Sequence, residues 1–370
     1  MKIGFFIFLL LILLVGVGYV TIRGVQAFSV YPALRNTYWI TLAAMFAMLL
    51  MNFFSPFALP AGVAKAVSFL GYSFLILVLY LFIAFLLTDI VRLVNLFAHF
   101  ITDMPRFRFL AATVSIGLIV LLMAFGNYRF NHPETIRLDI GAKNSSQQKR
   151  IKIVAVSDVH LGVSIDKKRL QKFVDRINSE KPDLVLIAGD LIDRSIKPVV
   201  ESAMEEELTQ IDAPMGVYAI FGNHEYYGEG GKAVFDFYKK SHITLLRDSA
   251  ILVNNDFYII GRDDATNRHR KSLNSIVSGL DSDKPRILLD HQPLHLQDAQ
   301  RNQIDLQLSG HTHNGQIFPG NLLVKRIFEL PYGYLQKGDT HYYTSSGLGI
   351  WGPHYRIGSR SEMVVIDFSY

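Results

Sequence analysis

The chain has 370 residues, 50% of them hydrophobic and 19% charged, and its lack of cysteine excludes disulfides and thiolate metal ligands. Of its 37 basic and 32 acidic residues, the first 130 positions hold eight and two, which leaves 29 and 30 for the rest. Because the excess positive charge lies beside apolar segments, we expect it to flank membrane helices, and we expect no nucleic-acid partner.

The amino-terminal part contains four apolar stretches that are long enough to cross a bilayer. They are Ile3–Ile22, Tyr38–Phe54, Ala66–Thr88 and Phe109–Gly126. A helix needs roughly 17 to 25 predominantly apolar residues to cross the hydrocarbon core. We therefore predict a multi-pass transmembrane region over residues 1–130, with the lipid bilayer of the cell membrane as a partner.

The segment Asp89–Phe100, after the third span, has apolar residues at helical spacing and a polar opposite side. Two interpretations stay open for it. It is either a separate helix in the membrane interface or a plain extension of the third span.

The distribution of arginine predicts the sidedness of the chain. The loops after the first and third spans carry Arg23, Arg35, Arg92, Arg106 and Arg108, whereas the amino end and second loop carry only lysine. The positive-inside rule then puts these arginine-rich loops in the cytoplasm and the carboxyl-terminal domain outside. Lys2, together with the amino terminus, favours the reverse orientation.

From residue 131 onward, short apolar runs alternate with amphipathic segments. We predict strands over Ile151–Ser157, Leu184–Ala188, Val217–Phe221, Ile243–Leu246, Ile251–Val253, Tyr258–Ile260, Ile287–Leu289, Leu306–Leu308 and Glu362–Phe368, and helices over Lys167–Glu180, Pro198–Thr209 and Gly231–Lys240. Strands and helices alternate first and strands dominate later. This order predicts an α/β domain over residues 131–370, with packed β-sheets flanked by helices.

Five motifs, each preceded by a strand-like run, carry the residue types of a metal site. They are Ser157-Asp158-Val159-His160, Gly189-Asp190-Leu191-Ile192-Asp193, Gly222-Asn223-His224-Glu225, Asp290-His291 and Gly310-His311-Thr312-His313. Together they supply three oxygen donors, four imidazole donors and one further imidazole. Oxygen and nitrogen donors without sulfur suit Mn, Fe or Zn, and two such ions about 3.5–4 Å apart can clamp a phosphoryl group.

Spacing within the motifs predicts how the side chains converge. Asp158 and His160 are two residues apart, so in an extended segment both side chains point the same way. The pair His311 and His313 repeats this spacing. Asn223 follows a glycine, which permits a sharp turn.

The five motifs resemble those of the calcineurin-like metallophosphoesterase superfamily over roughly residues 150–370. The resemblance implies a first metal held by Asp158, His160, Asp190 and His313, and a second held by Asp190, Asn223, His291 and His311. Asp190 would then bridge the two ions. His224 matches the catalytic histidine of the family, and Glu225 stands where the family often has aspartate.

A closer resemblance is to the membrane-associated bacterial branch of this superfamily, through the stretches His311–Gln316 and Gly347–Gly358. That branch includes lipid-headgroup hydrolases and cell-wall phosphoesterases. The expected function is therefore a membrane-anchored phosphoesterase that hydrolyses phosphodiester or phosphomonoester bonds by a metal-bridging hydroxide. We expect manganese as the metal and envelope or lipid-linked molecules as the substrates.

Two other functions stay open at this point. One is a nucleotide-sugar-lipid pyrophosphatase of envelope lipid biosynthesis, and the other is a membrane protein that binds metal without catalysis. Three pairs of residues near the motifs have secondary roles: Asp193 with Arg194, Gln316 with Arg356, and Tyr226 with Tyr227. We predict that the first pair supports the ligands, whereas the second pair offers candidate contacts to phosphate or a headgroup and otherwise has a structural role. The third pair either lines the cleft or packs beneath it.

Overall fold

The computed structural model describes residues 2–54, 59–143, 149–228 and 231–370. The chain folds as two compact units, Met1–Gly126 with Gly352–His354 and Asn127–Trp351 with Tyr355–Tyr370. The first unit is helical, and the second contains both sheets of the protein. The fold prediction is confirmed: mixed α/β sheets with flanking helices follow four helices that are apolar enough to span a membrane.

The helical unit consists of α1 (Lys2–Ala27), α2 (Pro32–Phe54), α3 (Ala61–Ala98) and α4 (Met104–Asn131), whose carboxyl end enters the second unit. Each helix contains one predicted span and is longer than that span. α3 continues through Asp89 without a break and ends at His99, whose left-handed backbone closes the last turn by a hydrogen bond to Asn95. The extension of the third span is therefore the correct interpretation of residues 89–98.

The second unit contains twelve strands and eight further helices among the described residues. In chain order they are β1 (Glu134–Gly141), β2 (Arg150–Val156), α5 (Lys167–Ser179), β3 (Leu184–Ile187), α6 (Lys197–Glu201), α7 (Glu205–Leu208), β4 (Val217–Ala219), α8 (Asn223–Tyr227), α9 (Lys232–Lys240), β5 (Ile243–Leu245), β6 (Ser249–Val253), β7 (Phe257–Gly261), α10 (Leu273–Val277), β8 (Arg286–Leu289), α11 (Gln297–Arg301), β9 (Leu306–Ser309), α12 (Gly320–Ile327), β10 (Gly333–Lys337), β11 (Thr340–Thr344) and β12 (Glu362–Ser369). A single 3-10 turn, His313–Gly315, precedes α12.

The strands form two six-stranded sheets of order β1-β12-β2-β3-β4-β5 and β10-β11-β9-β8-β7-β6. Strands β2 to β5 are mutually parallel in the first sheet, and β7, β8, β9 and β11 are parallel in the second. Antiparallel strands complete each sheet. In both sheets the parallel strands thus end along a common edge.

Buried apolar side chains form three layers of core. One cluster joins residues of both sheets, such as Ile153 with Ile287, and so fills the space between them. A second cluster packs α5 and α9 on the first sheet through residues such as Phe173 and Phe237. A third packs α10 and α11 on the second sheet. This helix–sheet–sheet–helix arrangement fixes the two sheet edges relative to each other.

Several predicted element boundaries differ from the structure for local reasons. The helix predicted over Pro198–Thr209 is two short helices, because Ala203 has a left-handed backbone with φ of 49°. Three strands, β1, β10 and β11, were missed in sequence. β1 and β10 lie at sheet edges, where their half-exposed side chains give no clear apolar run. The short helices α8, α10 and α11 and the helix α12 were also missed.

Candidate metal centre

The predicted ligands lie at the carboxyl ends of strands from both sheets. Asp158 follows β2, Asp190 follows β3, and Asn223 begins α8 after β4. His291 follows β8 and His311 follows β9 in the second sheet. Sites in α/β proteins are commonly built at this edge, where loops can hold side chains free of the sheet. The structure brings all eight predicted site residues into one buried or half-buried cluster.

One group of donors contains Asp158, His160 and His313. The Nε2 atoms of the two histidines are 3.2 Å apart, and His313 Nε2 lies 3.3 Å from Asp158 Oδ1. Two ligands that are each about 2.1 Å from one ion lie about 3.0–3.4 Å apart in tetrahedral or octahedral coordination. The spacing of these donors therefore fits coordination of a common ion.

A second group of donors contains Asp190, Asn223, His291 and His311. The Nε2 atom of His291 lies 3.2 Å from Asp190 Oδ2 and 3.2 Å from Asn223 Oδ1. The Asn223 Oδ1 atom is in turn 2.6 Å from His311 Nδ1. These spacings also fit one ion with oxygen and nitrogen ligands.

Asp190 connects the two groups. Its Oδ2 atom lies 3.2 Å from His291 Nε2 in the second group and 3.8 Å from His160 Nε2 in the first. The position is the one that the resemblance implies for a bridging carboxylate. Its other oxygen, Oδ1, accepts a hydrogen bond of 2.8 Å from the backbone N–H of His224, which fixes the orientation of the carboxylate.

The backbone at the ligands is left-handed rather than extended. The φ angles are 51° at Asp158, 54° at His160, 51° at Asp190, 71° at His311 and 49° at His313. The prediction that the paired ligands converge from an extended segment is therefore wrong, although each pair does converge. Non-glycine residues in this region each cost of order 1–3 kcal/mol and persist only where the surrounding structure determines them. Such strain is typical of functional sites.

Two glycines allow the ligand loops to approach one another. A Cβ atom at Gly222 would clash with the Asp190 carboxylate, and one at Gly310 would clash with that of Asp158. Both glycines directly precede ligand residues in their motifs. The glycine at each position is thus required by the close approach of a carboxylate from another loop.

The pKa shifts of three of the four histidine ligands favour metal binding. Burial alone would lower the pKa of the fourth, His291, but the charge of Asp190 raises it above its ordinary value. Burial lowers the pKa of His160 and His313, and it lowers the pKa of His311 to about 4 with help from the adjacent His291. Neutral imidazole is the form that binds metal. Burial alone would raise the pKa of Asp190, but the imidazole of His291 outweighs it and keeps the carboxyl ionised.

His224 is oriented by Asp193, whose role was predicted only as supporting. The Nδ1 atom of His224 lies 2.8 Å from Asp193 Oδ1. Burial alone would lower the pKa of His224, but the hydrogen bond to Asp193 and the charge of Asp190 raise it above its ordinary value. His224 also lies within 4.8 Å of donor atoms of His160 and Asp190. An imidazole oriented by a carboxylate therefore stands directly beside the first donor group.

Glu225 links the loops that follow β3 and β4. Its carboxylate accepts hydrogen bonds from the backbone N–H groups of Ile192 and Gly222, at 2.9 and 2.8 Å. Burial raises the pKa of Glu225 to about 7. The longer side chain at the position where the family often has aspartate thus supports the loops of Asp190 and Asn223 rather than contacting a substrate.

Asp290 supports His291 from the preceding position in its motif. Its buried carboxylate accepts hydrogen bonds from Arg262 at 3.0 Å and Arg270 at 3.1 Å. The Nδ1 atom of His291 lies 2.7 Å from the backbone oxygen of Ala188, so Nε2 is the atom that faces the donor cluster. Neither arginine stood out in the sequence, because each lies more than fifteen residues from Asp290.

Arg356 and Gln316, the candidate contacts to phosphate or a headgroup, have the structural role instead. Arg356 is fully buried, and its guanidinium donates to the backbone oxygens of His313, Gly347 and Gly349. Gln316 is also buried and donates to the backbone oxygen of Trp351. Both side chains hold the loops around the donor cluster.

Exposed side chains form a rim beside His224, and this rim was not predicted from the sequence. The rings of Tyr227 and Trp351 lie 5.5 and 6.0 Å from the His224 ring, and both side chains are about half exposed. The guanidinium of Arg194 stacks 5.8 Å from the Trp351 ring. Tyr226, by contrast, is tied down by hydrogen bonds with Asp263 and Arg247. Tyr227 is therefore the member of the tyrosine pair that faces outward.

Comparison with known proteins agrees with the motifs. The family model for calcineurin-like phosphoesterases matches residues 151–315. An uncharacterized metallophosphoesterase of Campylobacter jejuni is 35% identical over 259 residues, which cover 67% of each protein. An uncharacterized metallophosphoesterase of Aquifex aeolicus is 30% identical over 67% of this chain and 97% of its own length.

A transmembrane protein with metallophosphoesterase domain from Danio rerio is 34% identical over 58% of this chain, and the match spans about half (52%) of that relative. The similarity therefore extends from bacterial to vertebrate proteins and includes a relative described as transmembrane. With its five motifs in order and this similarity across the second unit, the chain belongs to the calcineurin-like phosphoesterase family.

Proposed function

We propose that the chain is a membrane-anchored phosphoesterase that depends on two divalent ions. The observation that carries this proposal is the shared Oδ2 atom of Asp190, which joins two groups of metal donors beside a protonatable His224. Ions bound there would polarise phosphoryl oxygens and lower the pKa of water. The donor set suits Mn, Fe or Zn, with Mn as our first choice.

In this mechanism His224 acts as the general acid. Its Nδ1 atom is engaged by Asp193, which leaves Nε2 to deliver a proton to the leaving oxygen as the P–O bond breaks. Asp193 stabilises the charged imidazole and sets its orientation. Water that has lost a proton supplies the oxygen of the new bond to phosphorus as the bond to the leaving oxygen breaks, so no covalent phosphoenzyme forms. The leaving group departs with the proton from His224, as an alcohol from a phosphoester or as a phosphate from a pyrophosphate link.

The surface of α12 supports a substrate in a lipid layer. Leu322, Leu323 and Ile327 on this helix are 53, 62 and 59% exposed, and Lys325 and Arg326 beside them are also exposed. An amphipathic helix with exposed apolar and basic side chains is suited to the interface of an anionic membrane.

α12 is directly connected to the metal ligands. It follows the loop that carries His311 and His313, and the ring of Phe328 at its carboxyl end lies 5.8 Å from the His311 ring. The Thr312 hydroxyl donates to the backbone oxygen of Pro331 just beyond the helix. A helix seated on lipid would therefore bring the donor cluster close to headgroup phosphates. We accordingly favour phosphodiester or pyrophosphate-linked lipid headgroups as substrates.

The aromatic rim supports a second candidate function, a nucleotide-sugar-lipid pyrophosphatase. Trp351 and Tyr227 offer exposed flat surfaces beside His224, and Arg194 adds a positive charge. Aromatic and guanidinium faces stack well on nucleobases. Release of a nucleoside monophosphate from a nucleotide-sugar lipid would favour this function over simple headgroup hydrolysis.

The sidedness of the second unit remains part of the proposal. The arginine-rich loops favour an extracytoplasmic catalytic domain. A cytoplasmic domain is the arrangement that a nucleotide-linked precursor would require.

Replacement of Asp190 tests the metal assignment. In Asp190→Ala and in the isosteric Asp190→Asn, we expect bound divalent metal to decrease and hydrolysis of a chromogenic phosphodiester to fall to the blank rate, because both donor groups lose their shared carboxylate. Metal content and turnover of the purified full chain measure this. The matched control is Asp175→Asn, which changes an exposed aspartate on α5.

Unchanged turnover in both Asp190 variants would refute the site. Wild-type protein that binds metal but hydrolyses neither a phosphodiester nor a phosphomonoester would favour the non-catalytic alternative instead.

Replacement of Asp193 tests the role of His224. We expect kcat to fall about 100-fold in Asp193→Asn at unchanged metal content, because general acid catalysis contributes about 10²–10⁴-fold. Since Asp193 raises the pKa of His224, its loss lowers that pKa, and the decline of kcat with rising pH moves to lower pH. The pH profile of kcat measures both effects, with Asp175→Asn as control. A profile identical to wild type argues against the assignment.

Polar substitutions on α12 test the lipid surface. In the double variant Leu322→Ser with Leu323→Ser, we expect at least about fivefold slower hydrolysis of a headgroup phosphodiester in vesicles, because apolar contact with lipid is lost. Hydrolysis of a soluble phosphodiester should be unchanged. Val200→Ser, at an exposed apolar position on α6, is the control. Equal loss on both substrates would mean that α12 serves only the integrity of the site.

A single thiol tests the sidedness, because the chain has no cysteine of its own. Lys240→Cys introduces one at an exposed position at the end of α9. We expect a membrane-impermeant maleimide to label this variant in intact cells, with lysed cells as the control. Labelling only after lysis would show that the second unit lies in the cytoplasm, opposite to the predicted topology. It would favour the nucleotide-sugar-lipid substrate.

A further inference from the structure

Four charged side chains form a cluster within the helical unit. Arg23 of α1 and Arg92 of α3 both pair with Asp89, each through an N–O distance of 2.6 Å. The hydroxyl of Tyr19 donates to the same carboxylate at 2.8 Å. With Arg108 of α4, the two arginines and Asp89 line a single cleft that is partly open. Three of the four helices, α1, α3 and α4, thus contribute charged side chains to this cluster.

The cluster has an unbalanced charge. Three guanidinium groups face one carboxylate, so the cleft carries a formal charge of +2. Asp89 is already engaged by both of its oxygens, and Arg108 makes no hydrogen bond or ion pair within the part of the chain that the structure describes. The Nε atoms of Arg23 and Arg108 are buried and have no hydrogen-bond partner among those residues. Unused donors and excess positive charge together indicate an anionic ligand.

The position of the cluster along the helices indicates the depth in the membrane at which this ligand lies. Arg23 directly follows the apolar stretch of the first helix, Asp89 directly follows that of α3, and Arg108 directly precedes that of α4. These three residues therefore lie where the hydrocarbon core ends and lipid headgroups begin. Phe85 and Ala112 also line the cleft, which gives it apolar lining next to its polar donors.

We propose that this cleft binds the phosphate group of an anionic lipid headgroup. Guanidinium groups bind phosphate through paired N–H donors in a fixed planar fork, and Arg108 would supply the donors that no protein group uses. The apolar lining suits the first carbons of an acyl chain. The residues are distinct from the metal donor cluster, so this inference does not rest on the proposed hydrolysis.

A comparison of two arginines on α4 tests the proposal. The purified full chain in detergent is titrated with a short-chain phosphatidylglycerol, with the matching phosphatidylcholine and with inorganic phosphate, and thermal unfolding is followed. We expect phosphatidylglycerol to raise Tm saturably in wild type. In Arg108→Gln its apparent affinity should fall about tenfold, as expected for loss of a charge-assisted contact.

The matched control is Arg106→Gln, which removes the same charge two residues away, at an exposed position outside the cleft. We expect this variant to bind like wild type. Arg108→Lys keeps the charge but loses the planar fork, so it should bind more weakly than wild type. Without lipid, all three variants should unfold near the wild-type Tm, because neither arginine side chain has an ion-pair partner among the described residues.

Four results would overturn the proposal. They are no saturable effect of phosphatidylglycerol, an equal effect of phosphatidylcholine, equal weakening in the Arg106 and Arg108 variants, and an equal effect of inorganic phosphate at the same concentration. The last would identify free phosphate rather than a lipid as the ligand. Equal weakening would show that the helix ends attract anionic lipid only by general charge.

Discussion

The burial of two carboxylates constrains the whole of the second unit. Asp158 and Asp190 are withdrawn from water, and an ionised carboxylate in such a place needs compensating charge and hydrogen bonds. The fold surrounds them with imidazoles, backbone N–H groups and closely approaching glycines from five loops. Those loops meet because two parallel sets of strands end along adjacent edges. Since no single loop satisfies either carboxylate, the site and the two-sheet architecture depend on each other.

Much of the site was predictable because each ligand can be recognised from residues next to it in the sequence. Each ligand stands within a few residues of a buried strand, and strand ends are readable from runs such as Leu184–Ile187. The left-handed backbone at Asp158 and His160 was not predictable, since it depends on hydrogen bonds to the loop after β3. The true role of Arg356 was also hidden, because its acceptors are backbone oxygens that only the folded chain brings together.

In the helical unit, too, features set by neighbouring residues were predictable, whereas contacts between distant residues were not. The four apolar stretches were readable, and their excess length reflects helical turns that continue past the apolar core. The ion pair of Arg23 with Asp89 joins residues 66 positions apart, so the sequence showed only scattered charges at the ends of spans. Considered one at a time, these arginines indicate only how the helices are oriented in the membrane. Seen together, they form a cleft with its own chemistry.

The position of β12 has a consequence for how the protein is made. This strand, Glu362–Ser369, lies between β1 and β2 and is the only partner of β1 among the described strands. During synthesis, β1 and β2 therefore leave the ribosome with open edges, and 220 residues follow β1 before its partner appears. The first sheet can close only after nearly the whole domain has been translated. Biogenesis thus requires those edges to be shielded in the meantime, for example by a chaperone, because exposed strand edges promote aggregation.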